Sequence, residues 1–347
     1  MVQDFETFTK NSKLNYWLFF FLICTAGFGI YFVYDLPGSI GIDFKSATGL
    51  DDEEFMSYFY LLYSYPSAIS AILSGYFIDS VFGLGLSGIV FAGLALFGQG
   101  CILAGLMFGT PLLMGVGRFL HGTASEPLGV VRAAYNIKYF GSALQFGLVL
   151  AASRSGSVGG FQVFPRVLCM FYDAAPTCTI EPEKKPESEC VTETLQNTTL
   201  IQKPPQQTCN ENDNVDCDQL VTALQYCVMV GMAMVTFALF IMFVLDKVDK
   251  AFDRAEEKKT GKKQETKKRE MLKPSDIKNI PFNAWILILV FMLFYCSVFP
   301  FNSMLPDYFK EKLGFDKAVA ANLSSIVYRL WEISIQNLSF KCKILCF

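Results

Sequence analysis

An all-α, multi-pass membrane protein is predicted by three features of this 347-residue chain. Hydrophobic residues make up 52% of it and charged residues only 18%, against roughly 25% charged in a typical soluble domain. Several apolar runs reach the ~20 residues that a helix needs to cross a hydrocarbon core about 30 Å thick. Within these runs small residues recur at three- and four-residue steps, the period of a helix face. The net charge of −3 selects no class of partner. The basic segment lies between apolar runs and reads as a topology signal rather than a nucleic-acid patch.

Residues 1–15 form a polar tail. The first span covers 16–34, too long for a signal-peptide core and without a small-residue cleavage site. It runs into Tyr-Asp-Leu-Pro-Gly, where Pro37 and Gly38 are expected to break the helix. The acidic cluster at 51–54 reads as a solvated helix start. A second span, 55–78, holds Pro66, an expected kink. The third, 86–106, is rich in Gly and Ala. The fourth, 112–140, carries Arg118, His121, Glu126 and Arg132, and the fifth, 143–168, carries Arg154. Residues 169–218 are polar and Pro-rich, and hold five of the eleven cysteines. A sixth span, 219–245, precedes a basic linker, 246–281, with 12 Lys/Arg between 246 and 279. A seventh span, 282–300, and a helical segment from about 317 follow. The expected domains are therefore a six-helix unit over 16–245, the linker, a second unit beginning over 282–328, and a divergent tail, 329–347.

Orientation follows from two signals. Lys-rich segments stay in the cytoplasm, and the sequon Asn197-Thr-Thr needs a lumenal or extracellular loop to be glycosylated. They flank the sixth span on opposite sides, which places the N-terminus in the cytoplasm. The Cys-bearing loop is then in an oxidising compartment. Cys178, Cys190, Cys209 and Cys217 can form two disulfides in three pairings, while Cys169, at the membrane edge, is left unassigned. The cysteines match no zinc spacing and have no histidine nearby, so no metal is expected. Cys24, Cys101, Cys227 and Cys296 read as small apolar residues inside helices.

The fourth span concentrates the chemistry. Charges at bilayer depth cost a few kcal/mol each and face a bundle interior or a wet cavity. Gly115, Arg118, Gly122, Ser125 and Gly129 share one face, with Glu126 on roughly the same side, so the expectation is a solute pathway with Glu126 near its middle. In the fifth span Ala152, Gly156 and Gly160 form a small-residue packing stripe that leaves Arg154 free to point elsewhere. At ~1.5 Å per residue Glu126 and Arg154 both reach the middle of the membrane, offset by about 7 Å. That is roughly the length of an extended dipeptide. A carboxylate and a guanidinium at that offset suit a zwitterion, with Glu126 on the ammonium and Arg154 on the carboxylate; a direct Glu126–Arg154 ion pair is the other reading. Arg118, His121 and Asp79 are candidates for the pathway or its gate. For Arg118 a structural role is the plainer reading. For His121, the only histidine, hydrogen-bonded packing stands beside proton sensing; for Asp79, an ordinary solvated turn stands beside a gating turn. Arg132 falls on the other side of its helix and reads as an anchor. No nucleophile–His–carboxylate set or phosphate loop is present, so no enzyme and no cofactor are expected.

Gly75-Tyr-Phe-Ile-Asp79 with Gly83 is similar to the loop motif between the second and third helices of the major facilitator superfamily. Six helices, a basic central loop and further helices are that superfamily's layout. Tyr34–Gly38, Ile78–Gly83, Gly117–Leu128 and the stretch from Val298 to Tyr328 narrow the resemblance to its lysosomal dipeptide transporter branch. The resemblance implies facilitated export of dipeptides from the lysosome by alternating access, with substrate-binding residues at Glu126 and Arg154. It also implies a glycosylated lysosomal accessory membrane protein as a partner; the apolar runs and the Lys-rich linker point to membrane lipid, and no nucleic acid is expected. Three departures stand out. Ser80 and Gly85 occupy positions where arginine is expected, Pro127 follows Glu126, and the pattern stops after Tyr328, which predicts a missing C-terminal half. The alternatives are a carrier of another small organic solute, such as a monocarboxylate or sugar, and a non-transporting membrane protein or accessory subunit.

Overall fold

The computed structural model describes residues 13–51, 54–55, 57–172 and 214–260, with scattered positions between 281 and 326. No strand occurs among the described residues. Helix α1, Lys13–Tyr34, is followed by α2, Leu36–Thr48. A single turn residue, Asp35, separates them. The expected stop at Pro37–Gly38 is therefore only a break. Pro37 falls in the first turn of α2, where its missing N–H leaves no interior bond unmade. A second break at Ile40 (φ −134°, ψ 29°) bends α2 again. The true stop is Gly49, with φ +68° and its N–H bonded to the Lys45 carbonyl at 2.9 Å, a left-handed C-cap.

The next crossing is a π-turn (Ser57–Leu61), α3 (Leu62–Tyr76) and a second π-turn (Phe77–Phe82). Pro66 lies inside α3. The crossing bends by 50° at residue 72, six residues beyond the proline that was expected to kink it. The remaining crossings are α4, Leu84–Met107; α5, Pro111–Tyr139; α6, Ala143–Phe171; and α7, Asn214–Thr260. Helix α7 runs 47 residues, about 70 Å at ~1.5 Å per residue. It continues well past the expected end at 245, so the first part of the basic linker is helix.

Three helices, Trp17–Thr48, Leu84–Met107 and Cys217–Ala255, are long and apolar enough to cross a membrane, and the bent pair around α3 makes a fourth. Helices α5 and α6 have 29 residues each, also long enough, but are more polar. Their polar side chains point inward: Arg118, His121, Ser125, Arg132, Asn136, Ser153 and Ser157 are all buried. Outward positions such as Phe21, Phe97, Leu112 and Phe240 are apolar and exposed. That arrangement is what hydrocarbon permits, since an unsatisfied polar group there costs several kcal/mol. The chain is a multi-pass helical membrane protein, with three helices long and apolar enough to cross, or four with the bent pair, among the described residues.

Packing is pairwise. Helix α5 lies against α4 and α3, α1 lies against α6 and α7, and α7 also covers α4. Glycines bring α4 and α5 together: a Cβ on Gly117 would stand 2.5 Å from the Gly98 carbonyl oxygen and 2.9 Å from the Ile102 nitrogen. The predicted stripe on α6 packs on α1, where a Cβ on Gly156 would meet the Phe32 nitrogen at 3.0 Å. At the Tyr139 end of the bundle, Lys138 bonds Asp249 (2.7 Å) and Asp253 (3.0 Å) of α7, and the Tyr139 hydroxyl donates to Asp249. Phe252 packs against both Phe19 and Tyr139, whose rings also touch each other. Gly85 faces Asp246 so closely that a Cβ there would lie 3.2 Å from the Asp246 Cβ, so there is no room for the arginine expected at that position.

Candidate substrate site

The face of α5 expected to line a pathway is a packing seam. Gly115 lies against Tyr58 and Leu62, and a Cβ on Gly122 would stand 3.0 Å from the Tyr63 Cα. Ser125 Oγ and the Tyr63 hydroxyl are hydrogen-bonded at 2.6 Å. Glu126 stands at the edge of this seam and is half-buried.

Arg118 is 1% exposed. Its Nε donates to the Phe59 carbonyl at 3.0 Å and an Nη to the Tyr34 carbonyl at 3.2 Å. The guanidinium carbon sits 5.1 Å from the centre of the Tyr63 ring. Tyr34 is the last residue of α1 before the Asp35 break, and Phe59 lies in the π-turn. Arg118 thus fastens two irregular stretches of backbone to α5. His121 is fully buried; its Nδ1 lies 3.3 Å from Gln99 Nε2 and its ring 5.9 Å from that of Tyr63. It belongs to the α4–α5 contact. Asp79 is exposed in the second π-turn, at the opposite end of its crossing from Phe59.

Glu126 and Arg154 come to one place, around the tyrosines of α1. The Arg154 guanidinium stacks on Tyr31 at 4.4 Å. Tyr34 lies within electrostatic reach of both Arg154 and Glu126, and its ring packs 4.9 Å from that of Tyr63. Tyr63 in turn senses Glu126. Glu126 and Arg154 are not ion-paired with each other, and Glu126 has no hydrogen-bond partner among the described residues. Tyr31, Tyr34, Glu126 and Arg154 are all half-buried. The result is a guanidinium stacked on Tyr31 and a carboxylate, not paired with it, that acts on the same group of tyrosines. Such a site can take the two ends of a zwitterion by charge-assisted bonds, with the rings supplying apolar contact area.

Arg132 corrects the sequence expectation. It is 3% exposed rather than an anchor at the surface, and it crosses from α5 to donate to Ser153 on α6. Its guanidinium reaches the same Tyr31 ring, at 5.9 Å, within electrostatic range of Glu126 and Arg154. The three tyrosines were also not singled out from sequence. The chain holds 15 tyrosines, and only the proximity of cations distinguishes these.

Asn197, Cys178, Cys190 and Cys209 lie outside the described residues. Cys169, at the end of α6, and Cys217, in the first turn of α7, are both disulfide-bonded, so Cys169 joins the set of paired cysteines. Cys24, Cys101 and Cys227 are free.

No family model matches the chain. It is similar to the lysosomal dipeptide transporter MFSD1 of Danio rerio, 27% identical over 325 residues, covering 92% of this chain and 59% of that protein. The similarity to MFSD1 of Homo sapiens is 26% over 310 residues, 88% of this chain and 57% of that protein. For Gallus gallus MFSD1 it is 24% over 313 residues, 88% and 54%. The chain thus spans somewhat more than half the length of the curated relatives it matches. Over nearly the whole of its length, then, the chain resembles proteins that share the name MFSD1.

Proposed function

We propose that this chain carries the N-terminal six-helix half, and the start of the second half, of a carrier that moves dipeptides across a lysosomal membrane by alternating access. One observation carries the reading: Glu126 and Arg154 stand half-buried around Tyr31 and Tyr34 and are not spent on each other. A pair that only stabilised packing would close into an ion pair. Kept apart, the two groups suit an ammonium and a carboxylate joined by a short spacer. The names of the curated relatives support the substrate class. In this reading the chain acts without enzymatic chemistry. Rocking of a second half against α1, α3, α5 and α6 would expose the site to each side in turn.

The reading includes an orientation. The N-terminus and the Lys-rich linker lie in the cytoplasm, and the loop between α6 and α7, with Asn197, lies in the lumen. That loop, glycosylated and disulfide-bonded, is also the natural face for a glycosylated accessory membrane protein.

The test is uptake of a labelled neutral dipeptide, such as Ala-Ala, into vesicles containing the complete carrier, with both halves present. Glu126→Gln and Arg154→Ala should each abolish flux while leaving expression and membrane insertion unchanged. Competition by dipeptides, and not by monocarboxylates or sugars, is expected. Uptake insensitive to dipeptides, or undiminished in both variants, would remove the reading.

A further inference from the structure

Among the described residues Glu126 has neither a hydrogen-bond nor an ion-pair partner. The turn of α5 that carries it therefore sets the place of its carboxylate. That turn is weakened from within. Pro127 follows Glu126 inside α5. It has no N–H to give the Thr123 carbonyl one turn back, and its ring crowds that carbonyl. The helix nonetheless runs on to Tyr139, so a neighbouring element holds it to its course.

Helix α3 supplies the hold. The Tyr63 hydroxyl is hydrogen-bonded to Ser125 Oγ at 2.6 Å, and Ser125 Oγ donates to the Gly122 carbonyl at 3.3 Å. Ser125 has one proton and gives it to Gly122, so Tyr63 is the donor of the first bond. The chain of bonds ends on the carbonyl that pairs with the Glu126 N–H in a regular helix. Tyr63 is itself well fixed. It is 5% exposed, its ring packs 4.9 Å from that of Tyr34, and the Arg118 guanidinium carbon lies 5.1 Å from its centre. Its backbone runs so near Gly122 that a Cβ there would stand 3.0 Å from the Tyr63 Cα. Packing alone does not account for the hydroxyl, because phenylalanine would fill the same space and a buried hydroxyl is unfavourable unless bonded.

We propose that Tyr63 is a positioning residue for the substrate site: its hydroxyl, acting through Ser125, splints the proline-weakened turn of α5 and so fixes where Glu126 presents its carboxylate. Tyr63 need not touch the substrate to do so. The splint matters because Pro127 has removed the helix's own bond; with an N–H at position 127 the turn would hold itself. The inference rests on the reading of Glu126 as a substrate-binding residue.

The test is uptake of labelled Ala-Ala into vesicles containing the complete carrier, read as the half-saturating concentration and the maximal rate. Tyr63→Phe removes one hydrogen bond and keeps the ring. It should raise the half-saturating concentration roughly three- to tenfold, the range that one lost bond supplies, and lower the maximal rate by less than about twofold. Ser125→Ala should do the same, and the two changes together should be no worse than either, because both cut one chain of bonds. In a Pro127→Ala background, which restores the N–H, Tyr63→Phe should shift half-saturation by less than about twofold. An unchanged half-saturating concentration in both single variants would overturn the assignment even if both melt earlier than the parent, since earlier melting is all that a packing bond would produce. An equal shift with and without Pro127, or additive shifts from Tyr63→Phe and Ser125→Ala, would overturn it too. If Tyr63→Phe does not fold, Ser125→Ala with and without Pro127→Ala makes the same comparison. Ala-Ala uptake undiminished by Glu126→Gln would instead overturn the site reading, and this assignment with it.

Discussion

Replacing Arg118 tests whether the guanidinium fork, and not merely a buried charge, holds the first two crossings to α5. Arg118→Met keeps much of the volume. It removes two hydrogen bonds, at 3.0 Å and 3.2 Å, and the contact with the Tyr63 ring. Each orphaned carbonyl costs about 1–3 kcal/mol and the lost cation–π contact about 0.5–2 kcal/mol. Against this, the insertion cost of the arginine, about 2.5–3.5 kcal/mol at the bilayer centre, disappears. The balance is a loss of roughly 2 kcal/mol. Arg118→Lys behaves differently, because it keeps the charge and its insertion cost while a single ammonium cannot serve the Phe59 and Tyr34 carbonyls in the directions of a planar fork. The lysine variant should therefore be at least as destabilised as the methionine variant, against the usual ranking of conservative changes. At about 2–4 °C per kcal/mol, both should melt ~4–8 °C below the parent in detergent, followed by loss of the monodisperse peak on heating. A lysine variant that melts with the parent would show that charge alone suffices and would refute the fork argument.

Two further outcomes follow from the packing. Gly117→Val should separate α4 from α5, because its Cβ alone would stand 2.5 Å from the Gly98 carbonyl oxygen; about 1–3 kcal/mol of overpacking is expected, read as lower yield and melting temperature. The Lys138–Asp249 bridge at 2.7 Å is only partly exposed, at 30% and 10% of the two side chains. A double-mutant cycle with Lys138→Met and Asp249→Asn should give a coupling of about 1 kcal/mol that weakens with salt, whereas zero coupling would mean that Phe252 and Tyr139 hold that end of α7.

Much of the fold was legible because a bilayer forces each crossing to satisfy its own backbone. Apolar runs therefore marked the bodies of the helices, and the ends of α4, α5 and α6 fall within about three residues of expectation. The ends of α2 and α7 were not legible. Pro37 reads as a stop but is tolerated in a first turn. The polar stretch after 245 reads as a linker, yet Asp249, Phe252 and Asp253 each have a partner on the bundle. Helix periodicity likewise named a small-residue face on α5 but could not say whether it faces solute or another helix; Tyr63 occupies it.

By itself, the sequence determined that this is a helical membrane protein, and it singled out Glu126 and Arg154 as charges within apolar runs, because charge in an apolar run is costly wherever the run packs. Only the tertiary structure decided that Arg118 is consumed by backbone carbonyls, that Arg154 and Arg132 both lie over the Tyr31 ring, and that Tyr34 is within electrostatic reach of Glu126 and Arg154. The reason is the length of the arginine side chain, which spans more than the distance between neighbouring helix surfaces. Its position on a helical wheel fixes where it starts, while the groups contributed by other helices, here Tyr31 and Ser153, fix where its charge ends.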